Sequence, residues 1–137
     1  MKKILSIIML CIICSLSLVV MASAAMPENQ IEPLYENLSS ATLDIGYYDG
    51  TTGLVTATAT RKAGTTKMVG VVDVYQWINN DWEFVTSFAK ESTRNSLVIS
   101  EEFSAQQGQQ YKAIFTISAI DATLTEVDVL ECVKTYN

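Results

Sequence analysis

The sequence predicts an all-β, antiparallel sandwich of about seven strands. Three observations carry that expectation. From Ser40 onward, apolar residues recur with a period of two, the repeat of a strand that buries one face. Clusters of turn-forming residues interrupt these runs about every eight to twelve positions. No segment after residue 25 holds a convincing long helical repeat. The stretch from Met68 to Phe88 is the centre of the pattern. Two β-rich runs flank Asn79-Asn80-Asp81, the sequence form of a β-hairpin, and they hold both Trp and two of the four Phe. Large aromatics dominate core burial, so the remaining strands are expected to pack around this pair.

The chain begins differently. Met1-Lys2-Lys3 is basic, Ile4 to Met21 is almost wholly apolar, and Ala22-Ser23-Ala24-Ala25 is a run of small residues. That order reads as a secretory signal peptide over residues 1–25, cut after Ala24 or Ala25. An uncleaved anchor is the alternative, since the apolar run approaches the length that spans a hydrocarbon core of about 30 Å. The Ala-x-Ala site and the polar Pro27-Glu28-Asn29-Gln30 behind it favour cleavage. Cys11 and Cys14 do not fit a lipoprotein signal, because the bulky Leu10 and Ile13 precede them. The expected location is secreted, extracellular or wall-associated, with no membrane attachment after cleavage.

Cleavage would leave about 112 residues, the size of one domain. A chain that long buries enough surface to fold without metal or disulfide staples. Cys132 is then the only cysteine, so no intrachain disulfide is open to it. A thiol packed in a late strand is expected, with an intermolecular bridge as the alternative. Seven Lys and Arg face fifteen Asp and Glu, a net charge of −8, which repels nucleic acid and anionic membrane surfaces.

Residues 26–39 hold both prolines and little periodicity, and read as an N-terminal arm before a sandwich domain over 40–137. Ile31, Leu34, Tyr35 and Leu38 fall at helical spacing and suggest one short helical turn. Ala41, Leu43, Ile45 and Tyr47 then alternate with polar residues, and Asp49-Gly50 is a strong turn signal. In the next strand Val55, Ala57 and Ala59 share a face opposite Thr56, Thr58 and Thr60. Small residues inward imply bulk opposite, and the aromatics of the central hairpin are the expected source.

The strand to Ile78 is apolar on both faces, so it is either buried on both sides or open on an aromatic face. After the Asn79–Asp81 turn, strict alternation puts Trp82, Phe84, Thr86 and Phe88 on one face. Leu97, Ile99 and Phe103 mark a fifth strand. Tyr111, Ala113, Phe115, Ile117 and Ala119 mark a sixth, and Leu124 to Lys134 the last, with Val127, Val129 and Val133 on one side. Tyr111 follows a turn bearing Gly108, the placing of the tyrosine corner of Greek-key sandwiches; a plain core tyrosine is the alternative.

The apolar leader, the Asp-Gly turn, Val-Tyr-Gln-Trp-Ile-Asn-Asn-Asp-Trp over 74–82 and Gly108-x-x-Tyr111-Lys-Ala together resemble small secreted, immunoglobulin-like β-sandwich proteins of Gram-positive bacteria. The resemblance covers most of the chain after the leader. It implies the sandwich fold and supplies no catalytic residues.

Histidine is absent, which removes His-based acid–base catalysis, Ser-His-Asp and Cys-His nucleophiles, and imidazole zinc sites. One cysteine makes no thiolate cluster, and neither standard Gly-rich phosphate loop occurs. No catalytic residue, metal or cofactor is therefore expected. Asp49 and Asp81 would offer oxygen ligands to calcium, but the Asp-x-Asp-x-Asp run is missing. A glycosidase needs two facing carboxylates. Glu101 and Glu102 are adjacent and would point to opposite faces, which leaves Asp73 with Glu83 across the hairpin. Aromatics give the better lead. Tyr75 and Trp77 share a face, and Tyr47-Tyr48 precede a turn, so these four are the candidate binding residues, with Trp82 expected in the core. The expected function is that of a secreted, non-enzymatic protein that binds a protein or glycan surface. An exported antimicrobial or bacteriocin-like effector and a small carboxylate glycosidase are the alternatives.

Overall fold

The computed structural model describes residues 36–137, which form seven strands and no helix. The predicted signal peptide and most of the predicted arm, with Ile31, Leu34 and Tyr35, lie outside the described residues. The strands are β1 (Leu38–Tyr48), β2 (Thr52–Arg61), β3 (Lys67–Ile78), β4 (Asp81–Ser92), β5 (Ser96–Ser104), β6 (Gln110–Ile120) and β7 (Thr125–Thr135). They make two antiparallel sheets, one ordered β1-β2-β5 and the other β4-β3-β6-β7. Leu38 is the first residue of β1 and fully buried, not part of a helical turn. Its neighbour Asn37 explains this. The Asn37 carbonyl accepts from Lys62 N–H and the Thr65 hydroxyl, and the Glu126 carboxylate accepts both Asn37 N–H at 2.6 Å and Leu38 N–H at 3.2 Å. Those bonds hold the segment extended from the start.

The turns follow from local chemistry. Asn79 and Asn80 sit at φ 53° and 64°, the left-handed pair of a two-residue type I′ hairpin, closed by Ile78 opposite Asp81. Asp49 takes φ 57° and its carboxylate accepts from Thr51 N–H and from the Thr51 and Thr52 hydroxyls. The Asp121 carboxylate accepts from Thr123 N–H, the Thr123 hydroxyl and Leu124 N–H. These contacts hold both carboxyls below the ordinary Asp range, with the backbone N–H of Thr51 and of Thr123 as the leading cause at each.

The interior lies between the sheets. Val55, Ala57 and Ala59 of β2 and Leu97, Ile99 and Phe103 of β5 come from one side. Met68, Val72 and Val74 of β3 and Tyr111, Ala113, Phe115, Ile117 and Ala119 of β6 come from the other. Interior bulk therefore comes mainly from Phe115, Tyr111 and Phe103, and of the β3–β4 hairpin aromatics expected there only Phe88 packs against the core.

A β-bulge is the reason. Val74 pairs with Thr86 but Tyr75 pairs with Phe84, so Val85 is an extra residue in β4. One extra residue exchanges the faces. Thr86 and Phe88 lie on the inner side with Val74 and Val72, while Trp82 and Phe84 lie on the outer side with Trp77 and Tyr75. The four residues that alternation placed together are thus split between the core and the surface.

One end of the sandwich is closed by rings. Tyr47 stacks on Tyr136 with centroids 4.4 Å apart and planes 8° apart, and Tyr111 touches both Tyr47 (6.0 Å) and Phe103 (5.4 Å). The Tyr111 hydroxyl accepts Gln106 N–H at 2.8 Å, the bond of a tyrosine corner. Tyr111→Phe keeps the ring and strands that N–H, and is expected to cost about 1–3 kcal/mol in a denaturant titration. Cys132 is half-buried on the inner side of β7, packed against the core. Open sheet edges are blunted. Lys90 Nζ donates to the Val98 carbonyl at 2.7 Å across β4 and β5. Lys134 meets Asp44 at 2.5 Å and Tyr47 donates to the Lys134 carbonyl at 2.9 Å across β1 and β7.

Candidate functional site: the outer face of the four-stranded sheet

The two outer faces differ in chemistry. That of the three-stranded sheet presents Thr42, Thr56, Thr58, Ser96 and Ser100 around the exposed apolar side chain of Val98, and Thr42 and Thr58 hydrogen-bond to each other. That of the four-stranded sheet is apolar over much of its area, with Lys67, Asp73, Glu91, Lys112 and Glu131 among the rings and valines. Trp77 (37% exposed), Phe84 (60%), Val127 (58%), Val129 (59%) and Val133 (42%) all lie on it. Half-buried Val69, Val71, Tyr75, Trp82 and Ile114 fill the ground between them.

The aromatic part sits beside the hairpin turn. Trp77 and Trp82 face each other across β3 and β4, edge to face, with centroids 5.0 Å apart and planes at 64°. One pair further in, Tyr75 and Phe84 repeat the arrangement at 5.8 Å and 77°. Cross-strand ring pairs of this kind stabilise a hairpin by about 0.2–1 kcal/mol each, so the rings brace the turn as well as line the surface. Lys112, opposite Tyr75 on β6, lays its ammonium 4.6 Å from the Trp82 ring centre and 5.4 Å from that of Tyr75. Asp73 accepts from the Ser87 hydroxyl at 2.6 Å and Lys67 pairs with Glu91 at 2.7 Å.

Of the four residues singled out by sequence, the structure brings together Tyr75 and Trp77. Tyr48 is exposed on the other sheet, where its hydrogen bond to Glu102 is the leading cause of a hydroxyl pushed up to about 12. Tyr47 is an interior-facing ring, stacked on Tyr136, and is no part of a surface site. Trp82 is half-buried beneath Lys112 on the outer face and not in the core. Burial, then the nearby Tyr111 and Cys132, raise the Tyr47 hydroxyl from 10.0 to about 12. The folded state therefore holds this proton more tightly than the unfolded one. The resulting stabilisation is complete below pH 10 and is lost as pH rises through 12. In thermal melts across that window, Tyr47→Phe is expected to lose less stability than the native chain.

Sequence reading passed over Phe84, Lys112 and the β7 valines as site residues. The bulge hid Phe84. Lys112 needed the β3–β6 register, and the valines needed β7 to be an edge strand whose inner side carries Leu130 and Cys132.

The carboxylate pairs do not converge. Asp73 pairs with Ser87 on the outer side, whereas Glu83 pairs with Gln76 on the opposite side of the same ribbon. Glu101 and Glu102 are consecutive in β5 and diverge. Asp49 is engaged by its own turn, and Asp81 accepts Trp82 N–H at 2.8 Å. Among the described residues no three His, Cys, Asp or Glu are grouped to hold a metal ion.

No family model matches the chain, and no curated protein does. Among solved structures, it is similar to a β-glucuronidase of Parabacteroides merdae, at 15% identity and a TM-score of 0.44 over 68% of this chain. The chain spans only 13% of that enzyme's length. It is also similar to the sensor domain of an anti-sigma factor of Pseudobacteroides cellulosolvens, at 10% identity and a TM-score of 0.39, covering 74% of this chain and 97% of that one. A sporulation control protein of Bacillus subtilis overlays at 8% identity and 0.37, over 67% of this chain and 48% of that one. Overlays this loose, between sequences this different, transfer no ligand, substrate or reaction to this chain.

Proposed function

We propose that the chain is an exported, non-enzymatic binding module, an immunoglobulin-like sandwich with Greek-key connections that grips the surface of another protein. The strand order supports the immunoglobulin-like reading. The first, second and fifth strands face a sheet of the third, sixth and seventh, with the fourth beside the third, and a tyrosine corner stands at the start of the sixth. The basic, apolar and small-residue order of residues 1–25 supports export.

The observation that carries the binding reading is the open apolar face bearing Tyr75, Trp77, Trp82 and Phe84. Contiguous apolar surface of this kind marks interaction sites on soluble domains, and aromatic anchors dominate their energetics. A protein partner suits the face better than a sugar. The rings stand edge to face and Lys112 lies over Trp82, so they share no plane on which a row of sugar rings would lie. The valines of β7 extend the apolar ground beyond the rings.

The test is a pull-down from surface and culture proteins of producing cells, run beside a glycan array. Trp77→Ala and Phe84→Ala are each expected to weaken capture of a protein partner about tenfold or more while leaving the fold intact. Binding on the array alone would assign the face to a glycan. Substrate turnover by the purified chain would overturn the non-enzymatic reading.

A further inference from the structure

We infer that the protein surface this face receives is the same face of a second copy of the chain, so that the exported form is a twofold dimer with its four-stranded sheets packed together. The inference rests on reading the face as a protein-binding surface and names its occupant.

Area is the first support. Strands of 11 and 12 residues make the sheet. At about 3.3 Å per residue and about 4.8 Å per strand, its face covers about 700 Å². Two such faces remove about 1,400 Å², within the range of stable, specific interfaces. Stacked sheets pack face to face about 10 Å apart.

Charge is the second. The chain is acidic overall, which would oppose association of like copies. This face carries only one acid more than its bases, and among the described residues Glu131 is the acid there without a hydrogen bond or ion pair. Its bases are Lys67 and Lys112 and its acids Asp73, Glu91 and Glu131. Lys67 is paired with Glu91, Asp73 with the Ser87 hydroxyl, and Lys112 with the rings. Partnered groups of this kind cost less to cover than bare ones.

Shape is the third. The face has a ridged half, the rings of β3 and β4, and a low half, the valines of β7 beside β6. A twofold axis parallel to the strands, between β3 and β6, keeps each level along the strands, so the rings of each copy lie over Lys112 and Val133 of the other and Val129 lies over Ala89. That is the self-complementarity an isologous dimer requires.

Sedimentation of residues 26–137 at micromolar concentrations tests this. The native chain is expected to run at twice the monomer mass. Val129→Lys places an unpaired charge inside the contact and is expected to weaken the dimer about tenfold or more, giving monomer with a near-native melt. Ser100→Lys, on the other sheet, is expected to stay dimeric. Should Val129→Lys fail to fold, Val127→Glu makes the same test from another exposed position on β7. A native chain that is monomeric throughout, or a folded Val129→Lys that remains dimeric, overturns the dimer. If the native chain is monomeric and Trp77→Ala still loses a protein partner, the binding reading survives and the dimer alone falls. If it is monomeric and no protein is captured through the rings, both fall.

Discussion

Phe115→Ala is expected to lower folding free energy by about 3–5 kcal/mol, read by denaturant titration. Phe115 is fully buried in β6, the strand bracketed by β3 and β7, and it faces the opposing sheet. Its ring lies against the bare backbone of Gly70, where an added Cβ would come within 2.9 Å of it, and Leu97 crowds the same spot at 3.0 Å. Neighbours held by two ladders cannot collapse into the space, so the cavity would persist and add to the lost transfer energy. For a domain near this size each kcal/mol moves the melting temperature by about 4–8 °C, so the variant should melt more than about 12 °C below the native chain.

Gly53→Val is expected to cost about 2–3 kcal/mol or more, by overfilling. Gly53 is the direct cross-strand partner of Phe103, whose ring folds over it. A Cβ built there would stand 2.3 Å from Phe103 Cζ and 2.6 Å from Cε1. The ring has little room to retreat, since it is buried and rests against Tyr111 at 5.4 Å. The mechanism has its own signature in a double-mutant cycle. In a Phe103→Ala background the same Gly53→Val change should cost much less, because the atoms it collides with are gone. An equal cost in both backgrounds would place the effect in the backbone and not in the ring.

Much of this fold is legible in the sequence, for an identifiable reason. In β2 and β6 one face is buried and the other is not, so strict alternation reports the truth, and Val55, Ala57, Ala59 and Tyr111 to Ala119 are where period two puts them. The Asn79-Asn80 and Asp49-Gly50 turns are likewise written in residues that tolerate positive φ. What was not legible lies at β4. Period-two reasoning assumes an unbroken ladder, and the extra residue Val85 breaks it. From that point Trp82 and Phe84 are assigned to the inner side with Phe88, although they lie on the outer face beside Tyr75 and Trp77. Tyr47 fails in the opposite sense. Period two puts it on the apolar face with Ala41, Leu43 and Ile45, but its position before a turn argued for exposure; the C-terminal Tyr136 folds back and covers it, with Tyr136 N–H donating to the Gln109 carbonyl at 2.9 Å. A contact between residues that far apart leaves no trace in local pattern.

In the proposed function the four-stranded sheet has one face that builds the fold and one left to meet a partner. Phe115 and Phe84 stand on opposite faces of it, the first fully buried and the second 60% exposed. Thermal melts of Phe115→Ala and Phe84→Ala beside the native chain, at dilutions where every chain is monomeric, separate the two faces. A collapse in stability is expected for Phe115→Ala and a melt within a few degrees of native for Phe84→Ala, about 1 kcal/mol or less for the lost cross-strand ring pair. Equal and large losses in both would contradict this division, because the hairpin aromatics would then be core and the face would have no surface role.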